Sequence, residues 1–319
     1  MTASRRILAL SGGVGGAKLV LGLAHTMAPE DLTVVANTGD DFRHLGLHIS
    51  PDIDTVVYTL SGLANPELGW GREGETWSFM AGLRQLGGED WFNLGDGDLA
   101  MHVLRTNRLA EGASLSQVTR DLRRSLGIIV SILPMSDDPV QTVVETPDGP
   151  LAFQHYFVRE QCAPIVTGFR FEHIEKAHPN PALMDALRDD TTGAVIIAPS
   201  NPFVSVDPIL HLPGLRQTLD AFAGPILAVS PIVGGKAIKG PAAKMMRELG
   251  MPSDAAAVAR HYSGLIDGFV IDRVDADQED EIRKLGMDVM ITGTVMRDLD
   301  SKIALAQDCL AFAERLAAP

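Results

Sequence analysis

Several residue types that define common protein classes are scarce in this sequence of 319 residues. It has two cysteines, Cys162 and Cys309, whose separation matches no metal-binding motif. We therefore expect two reduced thiols in a reducing compartment, and neither a disulfide framework nor a zinc site built on cysteine. Aromatic residues make up only 5%, so the core must be mainly aliphatic.

Positive charge and long apolar runs are also scarce. The 27 Lys and Arg residues are outnumbered by 41 Asp and Glu, and the resulting net charge of −14 argues against nucleic acid as a partner. The apolar run after Arg6 ends at Ser11 after four residues, and no apolar run reaches the length of about 18 residues that a membrane span needs. The sequence therefore predicts no signal peptide, no membrane partner and a cytoplasmic location.

What the sequence does contain is an alternation of strand and helix patterns. Arg6–Leu10 and Leu32–Ala36 are predicted strands, joined by a glycine loop over 11–16 and a helix over 17–27. Ser50-Pro51 is typical of a helix start, and this helix runs to about Leu60. Later strands are predicted over 128–133, 194–198, 226–229, 268–271 and 289–291, before a long helix from about 301. This order predicts an α/β fold with a Rossmann-like, mainly parallel sheet flanked by helices.

Two segments interrupt the alternation. From about 65 to 127 no strand pattern occurs, and we expect a helical insertion with helices near 75–86, 98–109 and 115–126. The last of these has a capping box formed by Ser114 and Gln117. From about 140 to 170, Asp148-Gly149 between apolar runs at 143–144 and 151–157 predicts a β-hairpin region. Because no repeat or flexible linker is present, we expect residues 1–319 to form a single elaborated domain.

The first loop with chemical potential lies between the first strand and its helix. Four glycines and a lysine there suit a phosphate, because glycine allows close backbone approach and a helix N-terminus offers free amides; they are Gly12, Gly13, Gly15, Gly16 and Lys18. Lys18 stands where a Rossmann fingerprint has its third glycine, and Leu19 stands where a Walker A loop has Ser or Thr. The loop therefore predicts a phosphate site of neither common kind, which weakens an NAD(P) dehydrogenase as an alternative.

Four carboxylates occur in the next two loops, after the second strand and at the start of the next helix. They belong to Asp40, Asp41, Asp52 and Asp54. Clustered carboxylates repel one another unless a cation intervenes, and oxygen ligands of this kind suit Mg²⁺. The alternative for Asp52 and Asp54 is a favourable interaction with the helix dipole, which accounts for one of them. The sequence thus predicts a magnesium cofactor at these loops.

Two later loops follow predicted strands and suit polar ligands. Pro199-Ser200-Asn201-Pro202, with Ser205 beyond it, can hydrogen-bond a base or ribose, although such a tetrapeptide can also be a simple turn. Gly234 and Gly235, followed by Lys236 and Lys239, suit an anion, although lysines at a helix start are often only solvated. The histidines show no ligand spacing, and no nucleophile elbow is present.

Taken together and in order, these loops resemble the 2-phospho-L-lactate transferase family (CofD-like). The resemblance runs through almost the whole chain, in segments 11–19, 37–41, 50–55, 94–100, 132–140, 200–205, 230–235, 239–248 and 265–272. It implies a step of coenzyme F-420 biosynthesis. The donor would be a guanosine diphosphate linked to lactate or a related three-carbon acid. The acceptor would be the ribityl hydroxyl of the deazaflavin Fo, and GMP would be released.

The resemblance also implies roles for single residues. Asp40, Asp41 and Asp54 would be the catalytic metal ligands, and Gly12–Gly16 with Lys18 would face the diphosphate or the deazaflavin. Guanosine would contact Ser200, Asn201 and Ser205, and the acceptor would contact Thr76. Residue 97 departs from the family pattern, which has arginine where this chain has Gly97. A homodimer is expected, since that assembly is plausible for the family.

One alternative comes from the same superfamily, and one detail stays open. A related branch is regulatory and binds nucleotide-sugars without turnover, but the double Asp pattern and segment 265–272 favour the transferase. The acid on the donor is left open between lactate and acids related to phosphoenolpyruvate or glycerate.

Overall fold

A computed structural model of the chain describes residues 6–66 and 69–318. Its strands are β1 Arg6–Ser11, β2 Leu32–Ala36, β3 Phe42–His44, β4 Leu47–Ile49, β5 Ser131–Pro134, β6 Gln141–Glu145, β7 Leu151–Ala152, β8 Gly168–Glu172, β9 Thr192–Ile197, β10 Ile226–Val229, β11 Ile232–Val233, β12 Lys236–Ala237, β13 Gly268–Asp272 and β14 Asp288–Thr292. Its helices are α1 Gly13–Thr26, α2 Pro51–Leu60, α3 Ser78–Gln85, α4 Asp96–Ala110, α5 Leu115–Ser125, α6 Pro181–Arg188, α7 Asp207–Leu210, α8 Leu215–Asp220, α9 Ala242–Glu248, α10 Ala255–His261, α11 Glu279–Arg283 and α12 Leu299–Ala317.

The main sheet has seven strands in the order β14-β13-β10-β9-β1-β2-β5, and every neighbouring pair is parallel. This confirms the predicted α/β class and parallel sheet. The chain builds outward from β1 through β2 to β5, and later strands add on the other side of β1. The order therefore reverses between β1 and β9, and ligands of open α/β sheets bind at the carboxyl ends of the strands at such a point.

Two hydrophobic cores cover the two faces of the sheet. Alternate residues of β1 belong to different cores, with Ile7 and Ala9 on one face and Leu8 and Leu10 on the other, as the two-residue period of a strand requires. The first face is packed by α1, α2 and α12, and the second by α6, α8, α9 and α10. In the described part of the chain, no helix combines the length and apolar character that crossing a membrane requires.

The helical insertion contains α3, α4 and α5, close to the predicted positions. The capping box of α5 is confirmed: the Ser114 hydroxyl accepts from the Gln117 backbone N–H at 3.2 Å, and the Gln117 side chain accepts from Ser114 N–H at 2.9 Å. A third, smaller hydrophobic cluster of Ile49, Met80 and Leu94 lies under this insertion.

The β-hairpin region is also present, but its second strand is shorter than predicted. β6 pairs antiparallel with β7 and with β8, whereas residues 155–159 form a π-helical turn instead of continuing a strand to Phe157. Phe153 and Tyr156 are both buried, and Phe153 stacks on Phe157 at 5.4 Å. Tyr156 and Phe157 follow Phe153 by three and four residues, and these spacings place side chains on one face of a helix but on both faces of a strand. The helical turn therefore lets all three aromatic side chains pack on the same side.

A second small hairpin was not predicted. β3 and β4 pair antiparallel around Leu45 and Gly46, which both have positive φ. The tight two-residue turn lacks the Asn-Gly or Asp-Gly pair that usually signals such a hairpin, so its sequence pattern is weak. The consequence for the site is that the segment between the two acidic loops is a rigid ribbon.

Candidate functional site

A cavity of about 910 Å³ opens at the carboxyl ends of the strands, beside the reversal point between β1 and β9. Nine residues predicted from the sequence line it: Gly12, Gly13, Gly15, Lys18, Asp40, Asp54, Ser200, Asn201 and Ser205. Five predicted residues are not part of its lining: Gly16, Asp41, Thr76, Gly234 and Gly235. The structure thus brings most of the predicted loops to one place.

The glycine loop packs tightly against the loop that follows β9. The Gly12 N–H donates to the Ser200 hydroxyl at 3.1 Å, and that hydroxyl donates to the Gly12 carbonyl at 2.7 Å. A Cβ on Gly12 would lie 2.4 Å from Cβ of Ser205, and one on Gly15 would lie 2.2 Å from the Pro199 carbonyl oxygen. Close loop contact therefore requires these glycines, and Ser200 acts here as a clasp between the two loops.

Helix α1 begins earlier than predicted, at Gly13, so most of the predicted loop is the first turn of a helix. Gly16 faces inward, where a Cβ would lie 2.4 Å from Oγ of Ser11. Lys18 lies on the cavity wall and its Nζ donates to the Met296 carbonyl at 3.2 Å. Burial, together with the nearby charge of Lys239, lowers the pKa of Lys18. The start of α1 and the charge of Lys18 therefore lie together on this side of the cavity.

Beneath the loop lie two buried carboxylates, Asp40 and Asp52, here called the Asp40–Asp52 pair. The Asn37 side-chain amide bridges them, donating to Asp40 Oδ1 at 3.1 Å and to Asp52 Oδ2 at 3.0 Å. The Gln154 amide donates to the other oxygen of Asp40 at 3.1 Å, and the Gly13 N–H donates to Asp52 Oδ1 at 2.6 Å. The pair is therefore fixed by neutral donors at the first turn of α1.

The two carboxylates of this pair have no cationic partner in the part of the chain that the structure describes. No ion pair from a Lys, Arg or His within 6–66 or 69–318 reaches Asp40 or Asp52. Burial and the proximity of Asp52 raise the pKa of Asp40 well above its usual range, and burial raises the pKa of Asp52 to about 6. Two buried carboxylates without a countercharge from the described residues fit a hard divalent cation such as Mg²⁺.

Asp54 belongs to a different set of contacts, here called the Asp54–Arg105 network. Its two carboxylate oxygens accept from both terminal nitrogens of Arg105, whose side chain is fully buried. His102 Nε2 lies 3.2 Å from Asp98 Oδ2, and the Tyr58 hydroxyl donates to the other Asp98 oxygen. Although burial opposes it, hydrogen bonding from His102 holds the pKa of Asp98 below its usual value.

Metal ligation by Asp54 therefore has less support than ligation by Asp40. Ligand atoms of Asp54, Asp98 and His102 do lie within 4.8 Å of one another, which is close enough for one ion. The Arg105 guanidinium, however, already supplies a positive charge to Asp54 in a bidentate ion pair. The two acidic groups differ in countercharge, and the Asp40–Asp52 pair fits the cation better.

Asp41 lies beside these groups but outside the cavity lining. Its carboxylate accepts from the Ser50 hydroxyl at 2.7 Å and lies 3.1 Å from Nε2 of His48. Burial raises the pKa of Asp41, while the contact with His48 opposes that rise. These contacts tie the β3–β4 hairpin to the start of α2, so the structure gives Asp41 a supporting position.

Three other predicted residues are engaged by the protein itself. The Thr76 hydroxyl donates to Asp96 at 2.6 Å, and Asp96 in turn accepts from backbone N–H groups at the start of α3. The Gly234 N–H donates to the Asp275 carboxylate at 3.1 Å, and the Gly235 carbonyl accepts from Ser253 at 2.9 Å. These contacts shape loops next to the cavity.

Asn201 lines the cavity and also begins the π-helical turn Pro202–Val206. Its side-chain oxygen accepts from the Phe203 N–H at 3.0 Å, and its amide nitrogen lies 3.3 Å from Sδ of Met245. The oxygen is therefore occupied, whereas the amide N–H faces only a weak acceptor. Contact with a base would have to use this N–H group.

The mouth of the cavity is aromatic, which the sequence analysis did not foresee. Trp70, Trp77 and Phe157 line it and are 53%, 47% and 39% exposed, and Phe92 and Phe153 lie further in. Large exposed aromatic side chains around a cavity suit a flat ring system, because both faces of such a ligand can be covered. A composition with 5% aromatics gave no sign that so many would gather here.

The residues of α4 were also missed, although their spacing was informative. Asp98, His102 and Arg105 occur at positions i, i+4 and i+7, which place them on one face of a helix. His102 has no metal-ligand spacing to another histidine, so its sequence signal is the helical spacing to Asp98 and Arg105. A search for polar residues at helical spacing in the insertion would have found this face.

Comparisons with known proteins match nearly the whole chain. The model of the family described as 2-phospho-L-lactate transferase CofD matches residues 7–302. A phosphoenolpyruvate transferase of Streptomyces griseus is 41% identical over 98% of this chain and 100% of that protein. A 2-phospho-L-lactate transferase of Methanococcoides burtonii is 38% identical over 92% and 95%, respectively. A UPF0052 family protein of Bacillus halodurans has a similar fold, with a TM-score of 0.65 at 13% identity, over 97% of this chain and 100% of that one.

Proposed function

This chain belongs to the 2-phospho-L-lactate transferase CofD family, and from that premise we propose that it transfers a phosphate-linked three-carbon acid to the deazaflavin Fo in coenzyme F-420 biosynthesis. The donor would be the acid linked to guanosine diphosphate. The ribityl hydroxyl oxygen of Fo forms a bond to the phosphorus nearer the acid and loses its proton. The bond from that phosphorus to the GMP oxygen breaks, and GMP leaves with the electron pair.

The observation that carries this proposal is the family match over residues 7–302. The cavity supports it, because about 910 Å³ can hold both a nucleotide-linked donor and a tricyclic acceptor. Its aromatic mouth suits the deazaflavin rings, and its lysines and the first turn of α1 suit the diphosphate. In this arrangement the described residues position the two substrates, which is the main part of catalysis in phosphoryl transfer.

Mg²⁺ is the proposed cofactor. Asp40 and Asp52 would hold it, since they are buried and share the Asn37 amide, and no described residue supplies them with a countercharge. When bound, the cation supplies neutralisation of the charge that develops on the transferred phosphate. Asn37 and Gln154 hold the two carboxylates in place whether or not the cation is bound. Asp54 remains a predicted ligand, with its charge matched by Arg105.

The acid on the donor is proposed to be the one related to phosphoenolpyruvate. The Streptomyces griseus relative named for that acid is 41% identical over 98% of this chain, against 38% over 92% for the relative named for lactate. The closer and longer match favours the enolpyruvyl acid.

Mass spectrometry of the reaction products tests the function. Purified protein would be incubated with Fo, GTP, a donor-forming partner enzyme and one acid at a time: phosphoenolpyruvate, 2-phospho-L-lactate or 2-phospho-glycerate. We expect a deazaflavin phosphodiester and GMP, with the largest yield from phosphoenolpyruvate. No phosphodiester with any acid would contradict the transferase, and a greater yield with 2-phospho-L-lactate would contradict the choice of acid.

The regulatory alternative and the assembly have their own tests. A transferase should gain thermal stability from Fo and from GDP with Mg²⁺, whereas the regulator should respond to a nucleotide-sugar, and a dehydrogenase to NAD(P). The predicted homodimer would be tested by light scattering after size-exclusion chromatography. The cytoplasmic location stays part of the proposal and would be tested by cell fractionation.

A further inference from the structure

Arg72 is a cavity residue that no step above uses. It lies between α2 and α3 and lines the cavity, and its side chain is 29% exposed. Its guanidinium lies over the ring of Tyr58, with Cζ 5.9 Å from the ring centre. The neighbouring side chains of this wall are acidic or aromatic, including Glu75 and Asp98. A permanent positive charge is therefore held on the side of the cavity formed by the helical insertion.

Most of the hydrogen-bonding capacity of Arg72 is unused within the described chain. Its ion pair joins Nε to Oε1 of Glu75 at 3.7 Å, which is longer than a hydrogen bond. Among residues 6–66 and 69–318, its buried Nε has no hydrogen-bond partner. Glu75 instead accepts from the N–H groups of Gly97 and Asp98, at 2.7 and 2.8 Å. Glu75 is thus committed to the start of α4, and the guanidinium faces the cavity.

The guanidinium occupies the space that a side chain at position 97 would need. A Cβ added at Gly97 would lie 2.7 Å from Nη1 and 3.0 Å from Cζ of Arg72. Gly97 is the second residue of α4, where glycine favours a helix less than other residues do. Its missing side chain therefore has a local use, which is to leave room for the guanidinium. The family pattern has arginine at position 97. This chain has Gly97 there, and the guanidinium of Arg72 lies next to it in space.

We propose that Arg72 binds an oxyanion of the substrate, a carboxylate or a phosphate, and that Gly97 is the specificity-determining position that makes this contact possible. A guanidinium binds such groups through two parallel N–H bonds, which gives both affinity and orientation. The inference rests on the proposed function, because it assigns part of the donor to Arg72. It adds a positively charged group to the cavity lining, beside Tyr58 of α2.

Binding measurements with defined probes test the proposal. Calorimetry in MgCl₂ would compare the wild type with Arg72→Gln, Gly97→Ala and the double variant, using phosphoenolpyruvate, inorganic phosphate and GDP. We expect Arg72→Gln to weaken phosphoenolpyruvate binding by about ten- to a hundredfold, the loss typical of a hydrogen-bonded charge. Gly97→Ala should weaken it in the same direction, and should add almost nothing once Arg72 is gone.

The probes distinguish the two sources of the oxyanion. A loss for phosphoenolpyruvate alone identifies the carboxylate, and an equal loss for GDP or phosphate identifies a phosphate group. Arg84→Gln is the matched control, since Arg84 is an exposed arginine of α3 outside the cavity lining. This variant should bind all three probes as tightly as the wild type does. Melting temperatures of all variants should agree within a few degrees.

Two results separate the failure of this inference from that of the proposed function. If the wild type binds these probes and Arg72→Gln and Gly97→Ala bind them equally well, Arg72 does not contact the substrate. If the wild type binds neither GDP nor phosphoenolpyruvate, the proposed function is wrong, and the role given to Arg72 is wrong with it.

Discussion

The Asp40–Asp52 pair and the Asp54–Arg105 network occupy the same cavity and are both buried, but they differ in what balances their charge. In the network, a fully buried guanidinium binds both oxygens of Asp54. In the pair, the donors to the carboxylates within the described residues are neutral, namely the amides of Asn37 and Gln154 and backbone N–H groups such as that of Gly13. Neutral donors orient a carboxylate without neutralising it.

The difference shows that burial of acidic residues does not by itself identify a ligand site. A carboxylate whose countercharge comes from the protein contributes to the architecture and is complete without a ligand. A carboxylate held only by neutral donors needs a proton or a cation, because an isolated buried charge is costly. The predictions below test this distinction by removing one member of each group.

The largest expected effect is a loss of stability when the network is broken. Arg105→Met removes the cation and leaves the Asp54 charge buried, which should lower the free energy of unfolding by about 3–5 kcal/mol. Urea denaturation monitored by circular dichroism would measure it. The double variant Arg105→Met with Asp54→Asn removes both charges and should recover much of the loss. A single variant as stable as the wild type would contradict the structural role of the network.

Breaking the pair should affect rate more than stability. Asp40→Asn and Asp52→Asn keep the shape and remove a charge from the proposed cation site, so each should lower turnover by about 10²–10³. Their melting temperatures should stay level or rise, because repulsion between the carboxylates is relieved. Steady-state kinetics with thermal denaturation would show this, and extra Mg²⁺ should partly restore the rate.

Asp54→Asn gives the contrast within that experiment. It leaves Arg105 buried without its partner, so it should lower the melting temperature clearly. If Asp54→Asn loses rate without losing stability while Asp40→Asn keeps a normal rate, the roles of the two groups have been assigned the wrong way round. Full turnover in EDTA would contradict the metal altogether.

The pair should also make stability depend on pH when no divalent cation is present. The folded-state pKa of Asp52 is about 6, above the value of about 3.9 in an unfolded chain. The folded protein therefore binds more protons between these values, so the free energy of unfolding should fall by on the order of 2–3 kcal/mol as pH rises from about 4 to 6. Denaturation across this range would measure the decline relative to Asp52→Asn. MgCl₂ should reduce it, and an unchanged decline in MgCl₂ would argue against a cation at this position.

The smallest effect is expected at Asp41, which belongs to neither group. It is hydrogen-bonded by Ser50 and His48 and lies outside the cavity lining. Asp41→Asn should therefore change stability by about 1 kcal/mol and turnover by less than tenfold. Kinetics measured beside Asp40→Asn provide the comparison. A rate loss at Asp41 as large as at Asp40 would extend the catalytic site beyond the cavity wall.

Much of the fold follows from local patterns. The central strands have short apolar runs that end at glycine or polar turns, and two of them, Leu32–Ala36 and Ile226–Val229, have the predicted bounds. The start of α1 could not be placed, because helix propensity argues against Gly13, Gly15 and Gly16 in a helix. Tertiary contact with the loop after β9 overrides that preference. The strand order was also beyond reach, since it depends on pairings between distant segments.

The site followed from the sequence only where a loop comes directly after a strand. Parallel strands bring their carboxyl ends together, so the residues after β1, β2 and β9 meet without further information. The residue that balances the charge of Asp54 could not be predicted, because Arg105 is 51 positions further along the chain, in α4. Asp52 and Asp54 are two residues apart and look equivalent in the sequence. Their different roles arise from what α4 and the glycine loop place beside each.

The clasp between Gly12 and Ser200 has a consequence for how the protein is made. These residues are 188 positions apart, and a ribosome adds about 5–20 residues per second, so the two halves of the clasp are synthesised on the order of ten seconds or more apart. During that interval β1 can pair with β2, but the other edge of β1 stays unpaired until β9 has been synthesised. Such long-range parallel pairing is intrinsically slow and leaves strand edges open to wrong partners. A nascent chain that ends before Thr192 therefore has no substrate cavity and an unprotected central strand, and this is the stage of its synthesis at which a chaperone would be of most use.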